Sequence, residues 1–348
     1  MNIVFLGTPL FAKEILEGLM KNHTILSVIT QPDKPFGRKK ILKAPEVKEC
    51  ALANNIPCFQ PEKSIDIIEI LHNIDTKQKI EAIIVVAYGK ILKKEIVSRY
   101  ICLNLHGSLL PHYRGASPIQ TSIMNDYKHF GLSVIYMDEG LDSGNIAAIQ
   151  AIEKDIVARK NVAEVFHILA PYGISLLEKV LNDIKHNTLQ TTPQNHDIAS
   201  YCKKLTKNDC YLDFIDSYTC YLHFLALGHI GVWTKYKDSV LKINMIQDYV
   251  SDNSVLSDSV LQDSSLKDPT LRDSKLQDSI PKDSIQNKTH EQKGTILAIK
   301  QNMACIACEN GALWIESVTP QNKSKMTMTS FLQSQNLKVG DSLVFEYL

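Results

Sequence analysis

The sequence lacks an apolar run long enough to cross a membrane. Its longest run, near Ile83–Ala87, falls far short of the ~20 residues that a transmembrane helix needs. The first residues, from Met1 to Gly7, also lack the charged leader and the small-residue cleavage site of a signal peptide. We therefore expect a cytoplasmic protein that makes no contact with a membrane.

An excess of charge of either sign is also absent. The 38 Lys and Arg residues balance the 38 Asp and Glu residues, so the chain has no strong overall field that would attract nucleic acid. A polyanionic partner would need a local basic patch, and one candidate lies between residues 34 and 43. Its cations, with no acid between them, are Lys34, Arg38, Lys39, Lys40 and Lys43. This basic segment can contact phosphates, or it is an ordinary solvated loop.

The eight cysteines lack the spacing of a metal site. Cys305 and Cys308 form an isolated CxxC with no second pair and no nearby histidine, whereas a structural zinc site needs about four ligands. Free thiols are the default in a long cytosolic chain. We expect structural cysteines and no bound metal.

Strands alternate with helices in the first part of the chain. Continuous apolar stretches predict strands at Ile3–Leu6, Leu26–Thr30, Ile80–Ala87 and Ile101–Leu105. Apolar residues with helical spacing predict helices after residue 10, over Pro45–Asn54 and over Asn161–Lys185. Strands without polar alternation are typical of a parallel sheet that is covered on both faces. The pattern predicts a doubly wound α/β domain with a mostly parallel sheet over residues 1–189.

The pattern changes after residue 189. Residues 190–206 are predicted to be a linker, and the short strands between turns in 207–348 predict a small β-rich domain, such as a barrel. An insertion at about 250–290 contains six five-residue units over 255–284. They carry about one leucine each among Asp, Ser and charged residues, and are too few to stack into a solenoid. We predict that this insertion is disordered.

Asn104 and His106 are candidate catalytic residues. They lie at the carboxyl end of a predicted strand, which is where open α/β sheets bind ligands, and residues two apart face the same side of a strand. The amide can donate to a carbonyl oxygen as it becomes an oxyanion. The imidazole can also donate, or can move a proton near neutral pH.

Asp142 is a third candidate. Gly140 and Gly144 flank it on a predicted turn, and a carboxylate near an imidazole would orient the ring and stabilise its cation. Taken singly, these features are commonly a capped strand end, a hydrogen-bonded core histidine and an ordinary turn. Only their combination points to a catalytic site.

The combination resembles the formyltetrahydrofolate-dependent formyltransferases. The resemblance is carried by Asn104-x-His106-x-Ser108-Leu109-Leu110-Pro111, Arg114-Gly115, Pro118-Ile119-Gln120 and Leu141-Asp142-Ser143-Gly144. Weaker similarity in the right order covers nearly the whole chain except residues 250–290. Within the family, the chain is most similar to members that formylate the methionine on initiator tRNA.

The resemblance implies a fold and a set of roles. It implies a Rossmann-like domain followed by a small OB-like β-barrel, with 10-formyltetrahydrofolate as co-substrate, and we expect a monomer. The implied catalytic residues are Asn104, His106 and Asp142. The implied folate-binding residues are Ser108, Leu109, Leu110 and Pro111. Arg38 matches an arginine near the tRNA acceptor end, and with its neighbours Lys39 and Lys40 it completes the predicted tRNA-binding residues.

The implied reaction is direct attack of the methionyl α-amine on the formyl carbon, for translation initiation. We expect Asn104 and His106 to donate to the oxyanion and Asp142 to orient the imidazole. The alternatives are a formyltransferase for a small amine, such as a purine precursor or an amino sugar nucleotide, and a formyl-folate hydrolase. A folate- or RNA-binding protein without catalysis is a further alternative. The long carboxyl domain and the basic segment favour tRNA, because a small amine needs neither.

Overall fold

The computed structural model describes residues 1–37, 40–251 and 292–343. Arg38, Lys39 and the five-residue repeat at 255–284, for which disorder is predicted, lie outside the described residues. The chain divides into two compact units, Met1–Leu205 and Thr206–Leu348.

The first unit contains short buried strands and helices in alternation. Its strands are β1 (Asn2–Gly7), β2 (Thr24–Ile29), β3 (Lys34–Phe36), β4 (Ile41–Lys43), β5 (Cys58–Phe59), β6 (Ala82–Val86), β7 (Cys102–His106), β8 (Arg114–Gly115), β9 (Gly131–Tyr136), β10 (Ile146–Ala151) and β11 (Tyr201–Cys202). Its helices are α1 (Leu10–Leu19), α2 (Glu46–Ala53), α3 (Asp66–Asp75), α4 (Lys94–Val97), α5 (Pro118–Met124), α6 (Lys154–Val157) and α7 (Val162–Lys185), with a 3-10 turn at His196–Ile198.

Within the described residues, seven strands form the central sheet in the order β10-β9-β7-β6-β1-β2-β5. The pairs from β7 through β5 are parallel, and β9 and β10 are antiparallel to their neighbours. The predicted α/β class with a mostly parallel sheet is confirmed. The sheet changes from parallel to antiparallel pairing at β7, the strand that carries Asn104 and His106.

The central strands are apolar because both faces of the sheet are covered. Every residue from Ile3 to Leu6 is fully buried. Val4 and Leu6 share one core cluster with Ile67 and Leu71 of α3, so their alternating neighbours face the opposite side. This accounts for the lack of polar alternation.

The long helix α7 begins as the sequence predicts. The Asn161 side chain accepts from the backbone N–H groups of Ala163 and Glu164, and the Glu164 carboxylate accepts from the Asn161 N–H. This reciprocal capping box satisfies N–H groups that the first helical turn leaves without partners. The helix packs on α1, β9 and β10, and so supports the strands beside β7.

The second unit is mainly an antiparallel sheet. Its strands are β12 (Trp233–Tyr236), β13 (Ser239–Val250), β14 (Ile296–Lys300), β15 (Met303–Ala307), β16 (Ala312–Pro320) and β17 (Met326–Thr327). Its helices are α8 (Ser217–Leu227) and α9 (Met328–Ser334), with a 3-10 turn at Lys207–Cys210. The strand order is β12-β13-β16-β15-β14, and β17 pairs with β16. The predicted small β domain after an α/β domain is confirmed.

None of the described helices combines the length and apolarity needed to span a bilayer.

Candidate functional site

The side chains of Asn104 and His106 both reach Asp142. Asn104 Nδ2 donates to Asp142 Oδ1 at 3.2 Å, and His106 Nδ1 lies 3.7 Å from Asp142 Oδ2. The two residues share one face of β7 because they are two apart in an extended strand. The structure thus brings together the three residues that the sequence nominates for catalysis.

Asp142 is held in an uncommon backbone conformation. Its φ is +51°, in the left-handed region, which costs a non-glycine residue roughly 1–2 kcal/mol, although Asp tolerates it better than most. Its Oδ2 also accepts from the Gly115 N–H at 2.8 Å. Such conformations persist where neighbours fix them, and they cluster at functional sites.

The imidazole of His106 is buried, with 5% of the residue exposed. Its Nε2 lies 2.9 Å from the carbonyl oxygen of Tyr113. A carbonyl only accepts, so Nε2 carries the hydrogen and the neutral ring presents a lone pair at Nδ1, toward Asp142. The expected donation from His106 to an oxyanion would require the ring to leave the Tyr113 carbonyl. Protonation of Nδ1 in place would instead form an ion pair with Asp142.

Asn104 keeps a hydrogen for a ligand. Its Nδ2 carries two hydrogens, and among the contacts of the described residues only the bond to Asp142 uses one of them. Asn104 is also less buried than His106. Of the two candidates for oxyanion donor, Asn104 is the one that can act without rearrangement.

The predicted folate loop, residues 108–111, follows β7 directly. Ser108 is fully buried and its hydroxyl donates to the His112 carbonyl. Leu110 is 4% exposed, and its N–H donates to Ser133 Oγ. Leu109 and Pro111 are partly exposed. Of these four side chains, those of Leu109 and Pro111 are the accessible ones.

Residues 191–202 belong to the predicted linker 190–206, and they contact both the Asp142 turn and the loop that follows β7. Gln194 Nε2 donates to the carbonyls of Asp142 at 2.8 Å and Gly144 at 2.7 Å. The Ser200 hydroxyl accepts from the Tyr113 N–H at 2.9 Å. The chain here also pairs β11 with β8 in parallel. These contacts could not be predicted from the local sequence, because Gln194 follows Thr191-Thr192-Pro193 and belongs to no periodic pattern and no motif.

Cys202 supports the same carbonyl as His106. Burial raises the pKa of the Cys202 thiol, which keeps it neutral and able to donate. Its Sγ lies 3.4 Å from the Tyr113 carbonyl oxygen and accepts from the Ser117 N–H at 3.3 Å. The carbonyl that fixes the tautomer of His106 is therefore itself held in place.

Arg114 is a buried cation, with 2% of the residue exposed. Its Nε and one terminal nitrogen donate to Gln194 Oε1 at 3.1 and 2.7 Å. Its remaining partners are His196 Nδ1 and the Tyr201 hydroxyl. None of these partners among the described residues is a carboxylate. The sequence marks Arg114 only as part of the motif, without a role.

The described residues of the basic segment form a hairpin, not an irregular loop. Strands β3 and β4 pair antiparallel with Lys34 opposite Lys43. Lys40 lies in the turn with φ +50° and is exposed. Lys43 pairs with Glu46 at 2.6 Å, and this hydrogen bond raises the Lys43 pKa. Of the predicted tRNA-binding residues, only Lys40 lies in the described part.

Nowhere in the described part of the chain do three or more His, Cys, Asp or Glu side chains form a group that could hold a metal ion.

Two family models match the chain. Residues 1–181 match a model described as formyl transferase. Residues 272–336 match one described as formyl transferase, C-terminal domain. The first match includes Asn104, His106, Asp142 and the whole segment between them.

Curated relatives match over almost their full length. The methionyl-tRNA formyltransferase of Nitratiruptor sp. is 36% identical over 347 residues, which cover 98% of this chain and 99% of the relative. The methionyl-tRNA formyltransferase of Helicobacter pylori strain J99 is 34% identical, over 99% of this chain and 100% of the relative.

A solved structure has a similar fold. The crystal structure of WlaRD, a sugar 3N-formyl transferase in the presence of dTDP and 5-N-formyl-THF, has a TM-score of 0.57 at 17% identity. The similarity covers 93% of this chain and 99% of that chain. At this identity it bears on the fold alone.

Proposed function

The chain belongs to the formyl transferase family, and because its full-length relatives are methionyl-tRNA formyltransferases, we propose that it formylates methionyl initiator tRNA. The formyl donor is 10-formyltetrahydrofolate, and the acceptor is the α-amine of the methionine. The product is the formylmethionyl-tRNA with which translation starts. This family of reactions needs a group that stabilises an oxyanion and a group that takes a proton from the attacking amine.

The observation that carries the proposal is the convergence of Asn104, His106 and Asp142. A neutral amide, an imidazole and a carboxylate meet at the end of a sheet strand. Their contacts are fixed by backbone groups, namely the Gly115 N–H and the Tyr113 carbonyl. Such preorganised groups stabilise charge that develops during acyl transfer without having to reorganise at that moment.

In the proposed reaction, the free amine attacks the formyl carbon and a tetrahedral intermediate forms. Asn104 donates its second amide hydrogen to the oxygen as negative charge develops there. The bond from the formyl carbon to N10 of the folate then breaks, and N10 takes up a proton. Alignment of amine and formyl group supplies much of the rate.

The proton lost by the amine goes to the His106–Asp142 pair. Asp142 is the more exposed of the two side chains, 13% against 5%, so it faces the incoming substrate first. The imidazolium that forms when Nδ1 takes a proton is stabilised by the Asp142 carboxylate on one side and the Tyr113 carbonyl on the other. The same pair can return the proton to the leaving N10.

The hairpin β3–β4 favours the assignment of a large anionic acceptor. Its exposed lysines belong to the same unit as the site, and cationic side chains fix the position of a nucleic acid through its phosphates. An amino sugar nucleotide carries far fewer phosphates than a tRNA and would gain less from such a surface.

The test is a transfer assay with 10-formyltetrahydrofolate and charged initiator tRNA, followed by hydrolysis of the ester and detection of N-formylmethionine. Formylmethionine that appears only with both substrates is the expected result. Formylation of an amino sugar nucleotide with none on tRNA would move the function to a small amine. Formate release without an acceptor would identify a hydrolase, and binding without turnover would contradict an enzyme.

A further inference from the structure

We propose that Gln194, oriented by Arg114, is a positioning residue for Asp142, and that residues 191–202 are therefore part of the catalytic apparatus. This inference rests on the proposed function, because it assigns Asp142 a role in proton transfer. Gln194 does not touch the reacting atoms. It acts on the backbone that carries the carboxylate.

The first step of the argument is the pair of bonds from one amide. Gln194 Nε2 donates to the carbonyl of Asp142 and to that of Gly144. The two bonds fix the peptide plane that follows Asp142 and the end of its turn. Together with the Gly115 N–H on the carboxylate, they hold Asp142 from both its backbone and its side chain.

The second step is the orientation of that amide. An amide can turn by 180° and exchange its oxygen with its nitrogen, unless its partners forbid this. Arg114 presents two N–H donors to Oε1, and a turned amide would face them with its own NH₂. It would also place an oxygen against two carbonyl oxygens. Arg114 therefore selects the single orientation in which Gln194 can hold the Asp142 turn.

The third step is burial. Gln194 is 5% exposed and Arg114 2% exposed, so water does not compete for these bonds. A buried cation whose described hydrogen-bond partners include no carboxylate is unfavourable for stability alone. Its presence is accounted for by the geometry it imposes on Gln194 and, through it, on Asp142.

The informative substitution is Gln194→Glu. It retains an oxygen acceptor for Arg114 and the size of the side chain, but it removes both N–H donors to the Asp142 turn. We expect kcat to fall by about 10- to 100-fold, the scale for groups that orient catalytic ligands. The KM values for formyl-folate and for tRNA should not change, because Asp142 is misplaced while the substrate surfaces are intact.

Gln190→Glu is the matched control. It makes the same change in charge and chemistry on an exposed glutamine four positions earlier, and it should keep wild-type turnover. Gln194→Met is a second variant, which removes the donors without adding a carboxylate. It should also lower kcat and leave both KM values unchanged. Thermal unfolding of each variant reports whether it is folded.

Hydrogen exchange without substrates tests the proposal independently of the reaction. The amides of residues 140–145 should exchange faster in Gln194→Glu than in wild type or Gln190→Glu. If the wild-type protein transfers no formyl group, the proposed function fails. The exchange measurement still reports whether Gln194 holds the Asp142 turn. Wild-type exchange in that turn would overturn the positioning role. A wild-type kcat in Gln194→Glu would also overturn it, as would a rise in the KM for formyl-folate in step with the loss of kcat. Unfolding of both Gln194 variants would make the residue merely structural.

Discussion

The site around Asp142 and the hairpin β3–β4 use polar groups in opposite ways. At the site, His106 and Arg114 are almost fully buried and each engages a specific acceptor. On the hairpin, Lys40 is exposed, and the neighbouring side chains of Ile41 and Leu42 are 66% exposed. At the site, specific hydrogen bonds fix each of these buried groups, whereas the hairpin presents charge to solvent.

This difference separates two tasks. Charge stabilisation during a reaction depends on fixed donors in a site that excludes water, and a small displacement there is costly. Attraction of a polyanion depends on the number of cations and on the salt concentration, and tolerates movement. Substitutions in the two regions should therefore change different kinetic constants, and the four predictions below test that separation.

The largest effect is expected from Asp142→Asn. The substitution removes the negative charge opposite His106, and the rate should fall by on the order of 10⁴, as when an orienting carboxylate is lost from a comparable triad. Asp138→Asn is the matched control, because Asp138 is an exposed acceptor for Gly140 and Ser143 in the same turn and an amide oxygen can still accept. Single-turnover rates with saturating substrates provide the measurement. Near-wild-type turnover of Asp142→Asn would remove the carboxylate from the mechanism.

The next effect concerns Asn104→Ala and His106→Ala. Each should lower turnover by ~10²–10³, the scale for one group acting on developing charge, with much less change in folate affinity. Asn73→Ala, an exposed asparagine on α3, should have no effect. Folate binding is measured by titration and turnover by initial rates. Affinity lost in proportion to activity would make the two residues binding groups.

The third prediction compares two glycines with positive φ. In Gly115→Ala the new Cβ would lie 2.3 Å from the Cys202 carbonyl oxygen, whereas at Gly37 it meets no described atom within 4 Å. Both changes carry backbone strain of about 1–2 kcal/mol, and Gly115→Ala adds steric overlap of about 1–3 kcal/mol. Thermal unfolding should show the larger loss for Gly115→Ala, together with a loss of turnover. Equal losses at the two positions would mean that β8 and β11 separate at little cost.

The smallest effect is expected from the hairpin. Simultaneous Arg38→Ala, Lys39→Ala and Lys40→Ala should raise the KM for tRNA and leave that for formyl-folate unchanged. The log–log salt dependence should flatten by about 0.7–0.9 per lost phosphate contact. The control replaces three exposed lysines elsewhere in the unit, Lys21, Lys77 and Lys79, and thus changes net charge equally. If the KM for tRNA had the same salt dependence in both triple variants, the hairpin would be an ordinary charged surface with no specific role in tRNA binding.

Much of the first unit could be predicted from local sequence. The strands around Val4 and Ile83 are apolar because they are covered on both faces. Asn161 caps α7, as expected from its position just before apolar residues with helical spacing. Asn104 and His106 could be paired because a strand places alternate residues on one face. Asp142 could be nominated from the glycines that flank it.

The remaining features depend on contacts that leave no local pattern. Strands β8 and β11 have two residues each, too few to show alternation. The sequence of residues 34–43 predicts a loop because β3 and β4 have three residues each and β4 is exposed throughout. Gln194 contacts residues 50 and 52 positions earlier, and no spacing rule reaches that far. The tautomer of His106 follows from a carbonyl, at Tyr113, that any residue could supply.

The contact between Gln194 and the Asp142 turn also sets an order of events on the ribosome. Gln194 lies 52 residues after Asp142, which corresponds to about 3 to 10 s of further synthesis at ordinary elongation rates. A nascent chain released from the exit tunnel only as far as α7 contains every strand of the central sheet and all three proposed catalytic side chains. It lacks Gln194, whose amide donates to the carbonyls of Asp142 and Gly144. Folding of the sheet and acquisition of activity should therefore be separate steps during translation, with activity arriving second.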